Sequence, residues 1–124
     1  MAQLGEDKRQ IGLTPAGQTA LEVMMADGRF ATETDAYKFG ISYAIAAGFD
    51  PDEAPPGGYN TKFNASGGLD IGNVIRDLIE VLGVGDPRRP YATAEKLAEL
   101  GVKAVASRLE GNESLADIMA EAST

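Results

Sequence analysis

The chain has 124 residues and a mass of 13.0 kDa, the size of one domain. It carries 11 basic and 19 acidic residues, a formal charge of −8, and contains no cysteine, histidine or tryptophan. These absences exclude a disulfide framework, a Cys/His zinc site, a thiol nucleophile and a histidine general base, and leave only oxygen ligands for a metal.

Residues 1–7 read as a frayed end without the apolar run of a signal peptide. Residues 8–14, KRQIGLT, alternate and predict one short strand. Ile11 and Leu13 fall on one face and Gln10, Gly12 and Thr14 on the other. Gly12 weakens the strand and removes a side chain from the outer face.

Thr14-Pro15 starts a first helix, with Thr14 as N-cap and Pro15 at the first helical position. Ala20, Leu21, Met24 and Met25 supply its apolar spacing, and Gly28 stops it. Thr32 caps a second helix that runs to about Ala47, with Asp35 placed like the acid of a capping box and Gly48 closing it. This helix is apolar around much of its circumference, which requires deep burial. Gly40 and the neighbouring alanines permit another backbone to approach closely.

Residues 50–68, DPDEAPPGGYNTKFNASGG, are rich in Pro and Gly and read as a linker or ordered excursion, with a short strand possible at Tyr59–Asn64. Asp50-x-Asp52-Glu53 has the start of a calcium loop but Pro55 where that loop needs glycine and Thr61 where it needs a bidentate glutamate, so it reads as a turn. Asp70 can cap a third helix from Ile71 to Leu82, with Ile71, Val74, Ile75, Leu78, Ile79 and Leu82 on one face. Gly83 and Gly85 end it. Asp86-Pro87 predicts the start of a fourth helix carrying Leu97, Leu100, Ala104, Val105 and Leu109, stopped by Gly111. Arg88 and Arg89 at its start could bind a phosphate or a partner's acidic patch, or simply point into water. A last helix is expected over about Glu113–Ala122. No nucleophile–base pair occurs, so neither catalytic residues nor a cofactor is expected. Gly40–Phe49, the longest nearly apolar stretch, is too short to span a bilayer. A non-enzymatic, cytoplasmic protein without membrane contact is the expectation.

One strand followed by two helices, with the turn Arg29-Phe30-Ala31 and the helix start Thr32-Glu33-Thr34-Asp35, resembles the ribbon-helix-helix family of bacterial repressors and antitoxins. The resemblance implies that the strand pairs antiparallel with its copy in a second chain and that the ribbon enters the DNA major groove. Gln10, Gly12 and Thr14 would then face bases, Lys8 and Arg9 would hold phosphates, and Thr32 and Thr34 would lie near the backbone. The homodimer interface would comprise Ile11, Leu13, Leu21, Met24, Ala36, Tyr37, Gly40, Ile41 and Ala44. A strand with no partner in its own chain supports such pairing independently.

The expected architecture is therefore mainly α: a short N-terminal strand and about five helices. A dimerisation module over 1–48 is followed by a loop over 49–68 and a helical appendage over 69–124 packed on the same core. Two functions follow. One is a DNA-binding repressor or antitoxin recognising double-stranded DNA. The other is a dimeric protein–protein interaction module, an accessory or assembly subunit holding a protein partner through residues 69–124. The resemblance makes the first the leading reading, with Glu33 and Asp35 at the expected phosphate site as departures from it; the acidic surface, the missing side chain at Gly12 and the large extra helical part favour the second.

Overall fold

The structure, a computed structural model of the single chain, describes residues 7–111 and 114–122. Of the residues 1–7 expected to fray, 1–6 lie outside them, as does the helix start at Glu113, while Asp7 is held in the fold by hydrogen bonds from the N–H groups of Tyr91 and Ala92. The protein is mainly helical with one short antiparallel sheet. The order is β1 (Gln10–Leu13), α1 (Pro15–Asp27), α2 (Glu33–Ala47), a 3-10 turn (Pro51–Glu53), β2 (Asn60–Asn64), a π-helical turn (Ala65–Leu69), α3 (Val74–Leu82), α4 (Pro90–Glu110) and α5 (Leu115–Ala122).

The first half follows its local signals closely. Thr14 Oγ1 accepts from the Gly17 N–H at 3.1 Å, and Gly28 ends α1 in the left-handed region at φ 88°. Thr32 Oγ1 accepts from the Asp35 N–H at 3.1 Å and starts α2. These caps satisfy donors that a helix leaves unpaired at its first turn.

The segment 50–68 is ordered, and it corrects the expectation that β1 has no strand partner in its own chain. β2 pairs antiparallel with β1, matching Gln10 with Asn64, Ile11 with Phe63, Gly12 with Thr61 and Leu13 with Asn60. The register shifts between Ile11 and Gly12, so Lys62 is the extra residue of a bulge. The bulged backbone crowds position 12: a Cβ on Gly12 would lie 1.7 Å from the Asn60 carbonyl oxygen. Glycine at 12 is thus required by the partner strand.

Two later helices start further along than expected. Asp70 does cap α3, but from a distance: its carboxylate accepts from the N–H groups of Ile75 (2.8 Å) and Arg76 (3.0 Å), and the helix begins at Val74. Asp86 shapes a turn by accepting from the Arg88 N–H at 3.0 Å, and α4 begins at Pro90. The N-terminus of α4 is capped from across the chain. The Asp7 carboxylate accepts from the N–H groups of Tyr91 (2.8 Å) and Ala92 (2.9 Å).

α4 runs through the middle of the core, against α1, α2 and β1. Its closest approach is to α2, where Gly40 and Gly101 face each other. A Cβ on Gly101 would sit 1.8 Å from the Gly40 carbonyl oxygen, and one on Gly40 would sit 2.7 Å from Val102. The close backbone contact that Gly40 permits is therefore made by α4. One continuous cluster joins both halves, including Ile11, Leu13, Leu21, Met24, Tyr37, Ile41, Leu97, Val102, Val105 and Ile118. α5 closes the far end with Ile118 buried and Glu121 ion-paired to Arg108.

Because flexible side chains do not separate these two backbones, overpacking here cannot be relieved locally. Gly101→Ala should lower stability by about 3 kcal/mol. Urea unfolding monitored by circular dichroism checks this, and an unchanged midpoint would refute the crossing.

Candidate functional site

Three regions hold the chemistry that the fold exposes or buries: the outer edge of β1, the loop over the start of α4, and the outer face of α3. The first is governed by two glutamates one helical turn apart on α4. Glu95 and Glu99 are 2% and 0% exposed. Glu95 accepts from the Gly12 N–H at 2.9 Å and from Lys8 Nζ. Glu99 accepts from the Thr14 N–H at 3.1 Å and from Thr14 Oγ1 at 2.5 Å, and pairs with Lys103 Nζ at 2.6 Å. The Tyr37 hydroxyl donates to the Gly12 carbonyl at 2.9 Å. Side chains thus serve the main chain of β1 where a further strand would otherwise bind it. Gly17 leaves room for the arrangement, since a Cβ there would meet Glu99 Oε1 at 2.2 Å. No buried side-chain polar atom among the described residues lacks a hydrogen bond.

This network decides where the residues expected to touch DNA lie. Gln10 is exposed and its side-chain amide donates to Asn64 Oδ1 at 3.4 Å. Gly12 and Thr14, expected on the outer face with Gln10, are both buried beneath α4. The alternation was broken by the bulge and by the carboxylates that draw in both N–H groups. Lys8 is paired to Glu95, while Arg9 is exposed and its carbonyl accepts from the Ala65 N–H at 2.9 Å. Thr32 caps α2, Thr34 is half-buried in its first turn, and Glu33 beside them pairs with Lys62 at 3.2 Å. The nine residues assigned to a dimer interface are all buried within the single chain.

The loop over α4 forms a cavity of about 220 Å³ lined by Lys8, Gly57, Gly58, Tyr59, Arg89, Glu95 and Lys96. Lys8 Nζ stands 5.4 Å from the centre of the Tyr59 ring, whose hydroxyl donates to the Pro55 carbonyl at 2.7 Å. Arg88 is paired outside it, with Asp86 at 3.5 Å. The main-chain N–H of Arg88 holds the Asp86 carboxyl below its ordinary range. Among the described residues, no group of three or more carboxylates converges as a metal site.

The third region is apolar. α3 is anchored to the core by Ile79, fully buried, and by half-buried Ile75. The rest of its apolar arc faces solvent, with Val74 68% exposed, Leu78 43%, Val81 83% and Leu82 50%, and Ile71 in the turn before the helix is 76% exposed. Isolated exposed apolar residues are ordinary, but four on one helix face, with a fifth in the turn before it, form a patch of the kind that marks an interaction surface. The apolar spacing of this helix was legible; its exposure was not. Glu95 and Glu99 were missed altogether. Their only sequence signal is that they share a helix face with Val102 and Ala106, at positions four, seven and eleven residues apart.

Burial, followed by the negative charge of Glu95, raises the Tyr37 phenol above its ordinary value. Burial also raises Tyr59 and Tyr91, and Tyr91 is held further by donating to Asp70 Oδ2 at 2.8 Å. The unfolded chain releases these protons near pH 10, and the folded chain keeps them to higher pH. Their contribution is intact below that pH and is lost as pH rises beyond it. Thermal unfolding temperatures should fall above pH 10, and Tyr91→Phe should make the fall shallower. A pH dependence that Tyr91→Phe leaves unaltered would count against this assignment. Glu99→Ala orphans the buried Thr14 N–H and should cost about 3 kcal/mol in urea unfolding. Glu99→Gln, which keeps an acceptor, should cost less.

No helix among the described residues is long and apolar enough to cross a membrane. No protein-family model matches this chain, and no curated protein or solved structure is similar to it.

Proposed function

We propose that the protein is a protein–protein interaction module, an accessory or assembly subunit that docks through the outer face of α3. The observation that carries this reading is the solvent exposure of Val74, Leu78, Val81 and Leu82 on a helix whose opposite shoulder is fixed by Ile79, continued by Ile71 in the turn before it. Removing such a face from water is favourable by roughly 25 cal/mol per Å² of apolar area, and docking is the event that removes it. The rigid core behind it keeps the helix in place without the partner. Asp70 supports this by holding the first turn of α3 while itself accepting the Tyr91 hydroxyl of α4.

The DNA-binding alternative draws on Lys8, Arg9, Gln10, Thr14, Thr32 and Thr34. It would require Gly12 and Thr14 to leave the buried glutamate network, and Lys8 to leave Glu95. It also faces a net charge of −8. Retention on genomic DNA that falls steeply with salt would revive it.

Val81→Glu should leave stability within about 0.5 kcal/mol of the wild type, as an exposed substitution does. Ile79→Ala, on the anchored side of the same helix, should cost about 3 kcal/mol. For function, a photo-crosslinking residue placed at Val81 in living cells should form a covalent protein adduct. The same residue at Glu110, exposed on α4, should not. Absence of any adduct at Val81 would remove the docking reading.

A further inference from the structure

We infer that the cavity over the start of α4 is a binding site for a small phosphate dianion, held by Lys96 and Arg89. The site is separate from the outer face of α3 and does not depend on docking there. Arg89, Ala92 and Lys96 follow one another at spacings of three and four, so the helical period places them in one strip at the start of α4. All three line the cavity of about 220 Å³, and all three also line a neighbouring cavity of about 80 Å³. Ala92 is the short side chain between two long cations, and it leaves the space that they flank. The loop Pro56-Gly57-Gly58-Tyr59 lines the same cavity. The Tyr59 hydroxyl ties this loop into a turn by donating to the Pro55 carbonyl, and Gly58 takes φ 87°, a conformation that favours glycine. A Cβ on Gly57 or Gly58 would meet nothing within 4 Å. This part of the loop is therefore bare main chain, and its two N–H groups donate to no described residue.

The charges select an anion. Lys8, Arg89 and Lys96 line the cavity against a single carboxylate, Glu95, within a chain of net charge −8. Glu95 is already engaged by Lys8 and by the Gly12 N–H. Lys96 is half-buried and makes no hydrogen bond or ion pair with any described residue. An ammonium drawn partly out of water without an acceptor loses hydration that nothing returns, and an oxyanion in the cavity would supply the acceptor. The neighbouring acids leave that place open. Asp7 accepts from the N–H groups of Tyr91 and Ala92, Asp86 pairs with Arg88, and Asp52 in the smaller cavity is exposed and makes no ion pair with Lys96. A phosphate group carries close to two negative charges at neutral pH and three acceptor oxygens. It matches the fork of an arginine beside the point charge of a lysine, where a monocarboxylate supplies half the charge. The volume lies below the roughly 300–1,000 Å³ of pockets for drug-sized ligands, which limits the ligand to a phosphate with a few further atoms. The acidity of the rest of the chain opposes a polyphosphate strand.

The test is amide NMR of the full chain titrated with inorganic phosphate, phenyl phosphate and acetate at constant ionic strength. Phosphate should produce saturable shifts at the amides of Gly57, Gly58 and Ala92, with a Kd on the order of 1 mM, the affinity that a few charge-assisted hydrogen bonds confer. Lys96→Gln should weaken binding at least about tenfold. Its urea midpoint in chloride should match the wild type, because the lysine has no partner in the fold. Arg76→Gln, the same loss of charge on α3, should leave the affinity within about twofold. Ala92→Leu keeps every charge and fills the space, and should abolish the saturable shifts while retaining the wild-type circular dichroism spectrum. Shifts that never saturate, or that saturate equally in Lys96→Gln, would overturn the site. Acetate binding as tightly as phosphate would overturn the assignment to a dianion. Phenyl phosphate binding more tightly than the inorganic ion identifies an ester as the source of the phosphate, and the reverse order identifies the free ion; both support the site.

Discussion

The hydrogen bonding of β1 by Glu95 and Glu99 is the constraint on which the rest of the structure depends. A strand at the edge of a two-stranded sheet exposes main-chain donors that must be satisfied. Here they are satisfied by two carboxylates one turn apart on α4, which reach the N–H groups of Gly12 and Thr14. Burying carboxylates is expensive unless they are paired and hydrogen-bonded, and each is both, through Lys8 and Lys103. The arrangement fixes the axial position of α4 against β1. That position in turn sets Gly101 opposite Gly40 and closes the core. Thr14 couples the network to helix formation, because the hydroxyl that donates to Glu99 also accepts from the first turn of α1.

The same geometry separates an inward-facing half from an outward-facing one. α1, α2 and β1 spend their apolar faces on α4 and become a rigid scaffold. Asp7 and Asp70 extend this scaffold by capping α4 and α3 from distant positions in the chain. α3 then hangs on the scaffold by Ile79 and Ile75, with most of its apolar arc turned to solvent. A helix held this firmly would lose little conformational entropy on being covered by a partner.

Local signals were legible wherever the physics is local. Thr14-Pro15, Thr32 and Gly28 set helix ends through contacts within a few residues, and those ends were read correctly. The start of α4 was misplaced at Asp86-Pro87 because its real cap, Asp7, lies more than eighty residues away. The strand at 60–64 was readable only as a possibility, because its β character depends on pairing with β1. The outward placement of Gly12 and Thr14 failed for the same reason: strand alternation describes a regular ladder, and the bulge at Lys62 with the two glutamates replaced it.

By itself, the amino-acid sequence determined the mainly helical class, the caps of α1 and α2, and the absence of cysteine and histidine chemistry. It also determined the apolar stripe on α3. Periodicity and capping record interactions within a turn or two, which is why these were accessible. Only the tertiary structure decided that β1 finds its strand partner in β2, that α4 supplies the close contact permitted by Gly40, and that Glu95 and Glu99 belong to the interior. It alone decided that the stripe of α3 faces water. An apolar face is equally apolar whether it meets its own chain or another, and only the packing of distant segments determines which surface is left uncovered.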